Sequence, residues 1–218
     1  MTKRAIVILT ACIALAVFAA AWFLFDGRSA GQQETAAPVA EEAAQLVRFS
    51  SPILGPANAQ TTIVEFFDPA CEACRAFYPI VKEILAEHPG KVRVVLRYAA
   101  FHDGSEEAVR ILETARMQGV FQPVLEALLT EQPRWASHDA PSIEAAWAIA
   151  QQAGLNVEKA KQDMSLPAID AVIRQDMADV KAFKVRQTPT FFVNGMPLSR
   201  FGPQQLRELV QSAVAKSS

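Results

Sequence analysis

Thr61-Thr62-Ile63-Val64-Glu65-Phe66-Phe67-Asp68-Pro69-Ala70-Cys71-Glu72-Ala73-Cys74 is the stretch that decides the fold. Its β-branched and aromatic residues run to an Asp-Pro turn signal, which predicts a strand over Thr61 to Phe67. A helix is expected next, because Cys74, Phe77, Val81, Ile84 and Leu85 recur at spacings of three and four. His88-Pro89-Gly90 ends it. Lys91 to Tyr98 (KVRVVLRY) reads as a second strand. Strand, helix and strand at this spacing form a βαβ unit, whose strands are parallel with a right-handed crossover.

Beyond this unit the pattern turns helical from Ser105 to Lys184, with apolar stripes such as Ile143, Ala146, Trp147 and Ala150, and Ile169, Val172, Ile173, Met177 and Val180. Gly154 and Pro167 divide the stretch, so several helices are expected, packed as one insertion between the halves of the sheet. Its Trp and Met residues read as core. Thr190-Phe191-Phe192-Val193 and Met196-Pro197-Leu198 flank Asn194-Gly195, a strong hairpin signal because both turn positions tolerate positive φ. Pro203 to about Lys216, with Leu206, Leu209, Val210 and Val214, is a closing amphipathic helix.

The other end of the chain is a different material. Of the 21 residues from Ala5 to Phe25, 20 are apolar, and Lys3 and Arg4 precede them. At 1.5 Å per residue such a run spans roughly 30 Å, the thickness of a bilayer core. Residues 1–25 therefore read as a membrane anchor with its basic flank inside, or as a signal segment cleaved near Ala19-Ala20-Ala21. Both readings export the remainder of the chain. Cys12 reads as apolar filler within the run. Residues 26–45, rich in Ala, Glu, Gln and Gly, form a linker, and residues 46–218 form the folded domain, with its helical insertion at about 104–184. Net charge is -2, from 21 basic and 23 acidic residues, which excludes the broad positive field of a non-specific nucleic-acid binder.

Only Cys71 and Cys74 lie in the exported part, placed between a strand and a helix. A thiolate at a helix N-terminus meets unpaired N–H groups and the positive end of the helix dipole, so its pKa falls and its reactivity rises. Cys71 is the expected nucleophile. Cys74, one turn on, would attack the mixed disulfide that Cys71 makes. Two other uses of the pair compete. Zinc needs about four ligands, and His88, His102 and His138 are not at a zinc-binding spacing. An inert disulfide closing so small a loop would restrain the unfolded chain little.

Ile63 to Arg75, Pro79 within the helix, and Thr188-Pro189-Thr190 before the hairpin resemble the thioredoxin-fold oxidoreductases. The helical insertion, Ser51-Pro52-Ile53-Leu54-Gly55, Phe101 to Gly104 and Gln187 to Gly195 are similar to the DsbA-like branch. The resemblance covers roughly residues 46–216. It implies an α/β thioredoxin-like fold with a helical insertion between the βαβ unit and the C-terminal hairpin and helix. It also implies a cis Thr188-Pro189 bond beside the cysteines, with the Thr188 backbone free to pair with a substrate strand. Glu65 matches the buried acid of the family, which would accept or relay the proton of Cys74. Read from the residues alone, the alternative is a strand Glu facing solvent.

Two departures bear on the direction of electron flow. The DsbA-like oxidants usually carry a His between the cysteines, whereas the dipeptide here is Glu72-Ala73, and Ala70 stands where thioredoxins have Trp. A carboxylate at Glu72 is expected to disfavour the Cys71 thiolate and make the pair less oxidising. The resulting expectation is an enzyme, an envelope thiol-disulfide oxidoreductase held to the inner membrane by residues 5–25. It would exchange disulfides with cysteines of exported proteins, in the oxidising direction. A membrane redox partner would recycle the pair. No cofactor, metal or nucleic acid is called for. The alternatives are a reductase or isomerase with the same site, or a non-enzymatic chaperone or Cu(I)-binding module.

Overall fold

The computed structural model describes residues 45–217, so the apolar run at 5–25 and nearly all of the linker lie outside the described residues. In order, the elements are β1 (Ile53–Leu54), β2 (Thr61–Phe67), α1 (Glu72–Glu87), β3 (Val92–Tyr98), α2 (Ser105–Met117), α3 (Phe121–Thr130), α4 (Gln132–Trp135), α5 (Ile143–Gln152), α6 (Val157–Asp163), α7 (Pro167–Ala182), β4 (Thr190–Val193), β5 (Met196–Pro197) and α8 (Pro203–Lys216). All of them lie in the unit from Leu46 to Ser218. Among the described residues no helix is long and apolar enough to cross a membrane.

The sheet has the order β1-β3-β2-β4-β5. β2 and β3 are parallel, with Thr61 opposite Val92 and Phe67 opposite Tyr98, as the βαβ reading requires. β4 runs antiparallel to β2, and β5 antiparallel to β4. At the hairpin turn Asn194 and Gly195 have φ of 47° and 84°, the positive values that a type I′ turn demands. The Asn194 side chain also accepts from Thr62 N at 2.8 Å, tying the turn to β2. β1, which the sequence reading passed over as a strand, pairs antiparallel with β3 through two residues only.

Alternation along the strands separates two cores. Ile63 and Phe67 of β2, Val94, Leu96 and Tyr98 of β3, and Phe191 and Val193 of β4 pack with Cys74, Phe77, Val81 and Ile84 of α1. Val64, Phe66, Val95 and Phe192 face the other way, toward Val180 and Val185. Each such side chain, fully buried, contributes about 1.5 to 3 kcal/mol. The same parity puts Glu65, between Val64 and Phe66, on the α1 side of the sheet, where the cysteines are.

Arg97 emerges on the opposite face and is wholly buried. It donates to Asp176 at 2.7 Å and to the Leu46 carbonyl at 2.7 Å, and also pairs with Asp179. Asp176 in turn accepts from Tyr98 N at 2.7 Å, so α7 is fixed on β3 by charge as well as by packing. Between the halves of the sheet the insertion holds Trp135 and Trp147 in its core, while Met117 is exposed. Gly154, at φ 102°, follows the end of α5, and Pro167 opens α7, as their positions in the sequence suggested.

Candidate active site

Cys71 is the N-cap of α1, with φ -76° and ψ 121°. Cys74 sits one turn inside, where the apolar face of the helix meets the sheet. Both are free thiols, Cys71 6% exposed and Cys74 fully buried. The difference in setting separates their chemistry. The Cys71 thiol is lowered to about 5, chiefly by a hydrogen bond from Cys74; burial opposes this, and Thr188 and the amides of Cys74 and Ala73 add to it. Cys74 is driven above the ordinary thiol value, first by burial and then by its bond to Cys71 and the charge of Glu65. Asp68 N approaches its sulfur at 3.5 Å. At neutral pH one sulfur is ionised at the mouth of the site and the other holds its proton beneath it.

Glu65 is 2% exposed, so a solvent-facing strand Glu is ruled out. Its carboxyl is pushed up to about 8, mainly by burial and further by Cys71. The register places Glu65 between Leu96 of β3 and Phe191 of β4, at the centre of the sheet.

Thr188-Pro189 is cis, as the resemblance implied, and Pro189 is buried in the connection leading into β4. The Thr188 carbonyl lies 3.2 Å from Cys71 Sγ and accepts from it while the thiol is protonated, so this loop lies against the reactive sulfur. Sequence positions 65, 71, 74 and 188 are thereby brought into one place.

How strongly the dipeptide acts on Cys71 depends on how solvated Glu72 is. The Glu72 side chain is 67% exposed, with its carboxylate 4.0 Å from His138 Nε2. In water a charge there is strongly screened. The Cys71 thiol is low despite Glu72, because the Cys74 thiol and the first-turn amides outweigh a solvated carboxylate. Ala73 is half-buried and contributes its backbone. Glu72→His is therefore expected to raise the reduction potential by less than about 30 mV, under a tenfold change in equilibrium with glutathione. A fall would contradict this electrostatic account.

Three residues to which the sequence assigns no place in the site hold it in shape. Gln132, at the start of α4, is buried and donates to the carbonyls of Pro69 at 2.8 Å and Cys71 at 3.1 Å. Asp68, read only as a turn residue, is wholly buried and accepts from Ala70 N at 2.9 Å, from Phe101 N at 2.8 Å and from Ser105 Oγ. His102, weighed only as a zinc ligand, contacts Asp68 through Nδ1 at 2.7 Å. Among the described residues no group of three or more His, Cys, Asp or Glu side chains is placed to hold a metal ion.

Comparison with known proteins gives the same architecture. A thioredoxin-like oxidoreductase from Silicibacter pomeroyi DSS-3 superposes with a TM-score of 0.67 at 27% identity, over 79% of this chain and 95% of that one. Alpha-DsbA1 from Wolbachia pipientis superposes with a TM-score of 0.70 over 81% and 96%, and at 14% identity it speaks to the fold alone. Among curated proteins, the Na(+)/H(+) antiporter NhaA of Herminiimonas arsenicoxydans is 33% identical over 146 residues, 67% of this chain. The chain spans only about a fifth to a quarter of the length of such relatives, 22% in that case and 25% in the NhaA 3 of Salinispora tropica. The Thioredoxin_4 model, described as thioredoxin, matches residues 49–212, a range that takes in both cysteines, the cis-proline connection and the whole helical insertion. With the family's model running through all of these in order, the chain belongs to the thioredoxin family Thioredoxin_4.

Proposed function

We propose that this chain is a thiol-disulfide oxidoreductase of the cell envelope that donates disulfides to cysteines of exported proteins. The observation that carries the reading is the polarised pair: an ionised thiol near pKa 5 at the helix N-terminus over a buried, protonated Cys74. In the donating direction a substrate thiolate attacks Cys71 Sγ of the Cys71–Cys74 disulfide, and Cys74 leaves as the thiolate. A second substrate thiolate then attacks its own sulfur in the mixed disulfide, and Cys71 leaves. The substrate loses two electrons and the enzyme gains them. Glu65 is the group that protonates Cys74 as it leaves.

A thiolate that leaves easily stabilises the reduced enzyme, which is what makes a disulfide oxidising. At about 5, Cys71 falls between values of roughly 7 for thioredoxin and roughly 3.5 for DsbA. The substrate is read as an extended strand laid along Thr188, whose carbonyl already meets Cys71. The apolar run at 5–25 supports an anchor in the inner membrane, the linker at 26–45 a tether, and a membrane protein the recycling oxidant. The transport named for the antiporter relatives is not carried over, since this chain aligns with so small a part of them.

Transfer of the disulfide from the oxidised full chain to a reduced dithiol peptide tests the reading. Stoichiometric oxidation of the peptide, with the enzyme recovered as two thiols, is expected. A chain that binds the peptide and leaves both redox states unchanged would overturn it in favour of a binding module.

A further inference from the structure

Asp68 is a wholly buried carboxylate, and among the described residues its one ion-pair partner is His102. Burying a carboxylate is costly unless a cation faces it. The imidazole meets it through Nδ1 at 2.7 Å and is 34% exposed, so the ring can take its second proton from solvent. Asp68 also accepts from the amides of Phe101 and His102 on one side and of Ala70 on the other. The imidazole is thus tied, through a single carboxylate, to the residue next to Cys71. His102, His138 and Ala70 line the same small cavity of about 180 Å³.

We infer that His102, held as an imidazolium on Asp68, is a positioning residue that supports the Cys71 thiolate from outside the cysteine dipeptide. It supplies the cation that Glu72 and Ala73 do not. The inference rests on the exchange chemistry proposed for Cys71. Glu72 of α1 favours the imidazolium and is solvated. His138 lies with its ring centroid 6.1 Å away and is itself 67% exposed. On the α2 side Asp103, Glu106, Glu107 and Arg110 share a second, open cleft with His102. Arg110 there is engaged by Glu106 at 2.9 Å and Asp170 at 2.7 Å. The ring's partial burial opposes its charge, but the hydrogen bond and charge of Asp68, then Cys71 and Glu72, raise it above the ordinary imidazole value. The coupling is reciprocal: a thiolate that favours the imidazolium is favoured by it to the same extent.

The test compares the full chain carrying Cys12→Ser with the same chain carrying His102→Gln or His102→Arg. Gln keeps a donor for Asp68 and removes the charge. In His102→Gln the thiolate absorbance titration of Cys71 is expected to move up by about 0.5 to 1 unit. The glutathione equilibrium is expected to move toward the disulfide by about 3- to 10-fold below the imidazole pKa. That difference vanishes as pH rises through the imidazole titration, whereas His102→Arg keeps the low thiolate titration throughout. A second measurement needs no variant at His102: its NMR titration is expected to lie higher in the reduced than in the oxidised chain, by the same shift. An unmoved Cys71 titration in His102→Gln, or equal His102 titrations in the two redox states, would overturn the inference. If the parent chain fails to cycle with glutathione, the exchange reading falls, and the two titrations still decide the role of His102.

Discussion

With Cys12→Ser as background, Cys71→Ser abolishes disulfide exchange, lowering its rate by about 10³-fold or more. The size of the loss follows from the second cysteine's setting. Cys74 is fully buried and its thiol is held protonated by burial, so it can neither meet a substrate disulfide nor offer a thiolate to it. Serine in place of Cys71 keeps the helix start and the contact with Thr188 but removes the one accessible sulfur. The reverse substitution has a different signature. Cys74→Ser leaves Cys71 to attack a substrate disulfide and removes the group that resolves the product, so a mixed disulfide accumulates. Mass spectrometry of both variants after incubation with a disulfide peptide checks the assignment. Exchange surviving in Cys71→Ser, or an adduct on Cys74 in the parent chain, would reverse the two roles.

Glu65→Gln has its largest effect on stability, with a sign set by pH. The Glu65 carboxyl sits near 8 in the folded chain against 4.5 as its reference, because burial first, and Cys71 second, disfavour its charge. The folded state therefore binds the proton more tightly than the unfolded chain. Stability from this group is fully present below about 4.5 and is lost as pH rises toward about 8. Glutamine carries no such dependence. The variant is expected to gain a few kcal/mol over the parent on going from pH 4.5 to pH 8.5. Denaturant unfolding of both reduced proteins at the two pH values measures the difference. Cys71, whose folded pKa is depressed, contributes in the opposite direction, and it cancels in the comparison. If Glu65 also delivers the proton to Cys74, the same substitution slows release of the reduced enzyme and flattens its pH dependence above 6. A parallel pair of stability curves would show that Glu65 is ionised where it lies.

The sequence exposes what repeats locally and conceals what is assembled from afar. β2, the start of α1, the Asn194-Gly195 hairpin and α8 were legible because each rests on a period or a turn within a few residues. The placement of Cys71 at a helix N-terminus came from the same local signals. Glu65 was ambiguous on its own strand, since an acid between Val64 and Phe66 reads as a solvent face; only α1, lying over that face, makes it buried. Arg97 deceives in the same way. Nothing within KVRVVLRY marks it for burial, yet α7, about 80 residues later, brings Asp176 and Asp179 onto it. Gln132 reaches the cysteine loop across 61 to 63 residues, and Asp68 gathers donors from 34 and 37 residues away. No spacing announces such contacts. The setting of Glu72 is equally hidden: its neighbour in sequence is Cys71, but its neighbour in space is water.

The central claim is that the polarised pair makes an oxidising disulfide, and the reduction potential of Cys71–Cys74 in glutathione buffers tests it most directly. A thiolate near 5 predicts a value of roughly -130 to -200 mV, on the DsbA and disulfide isomerase side of the scale. A value at or below roughly -270 mV, that of thioredoxin, would contradict the account and make the chain a reductase.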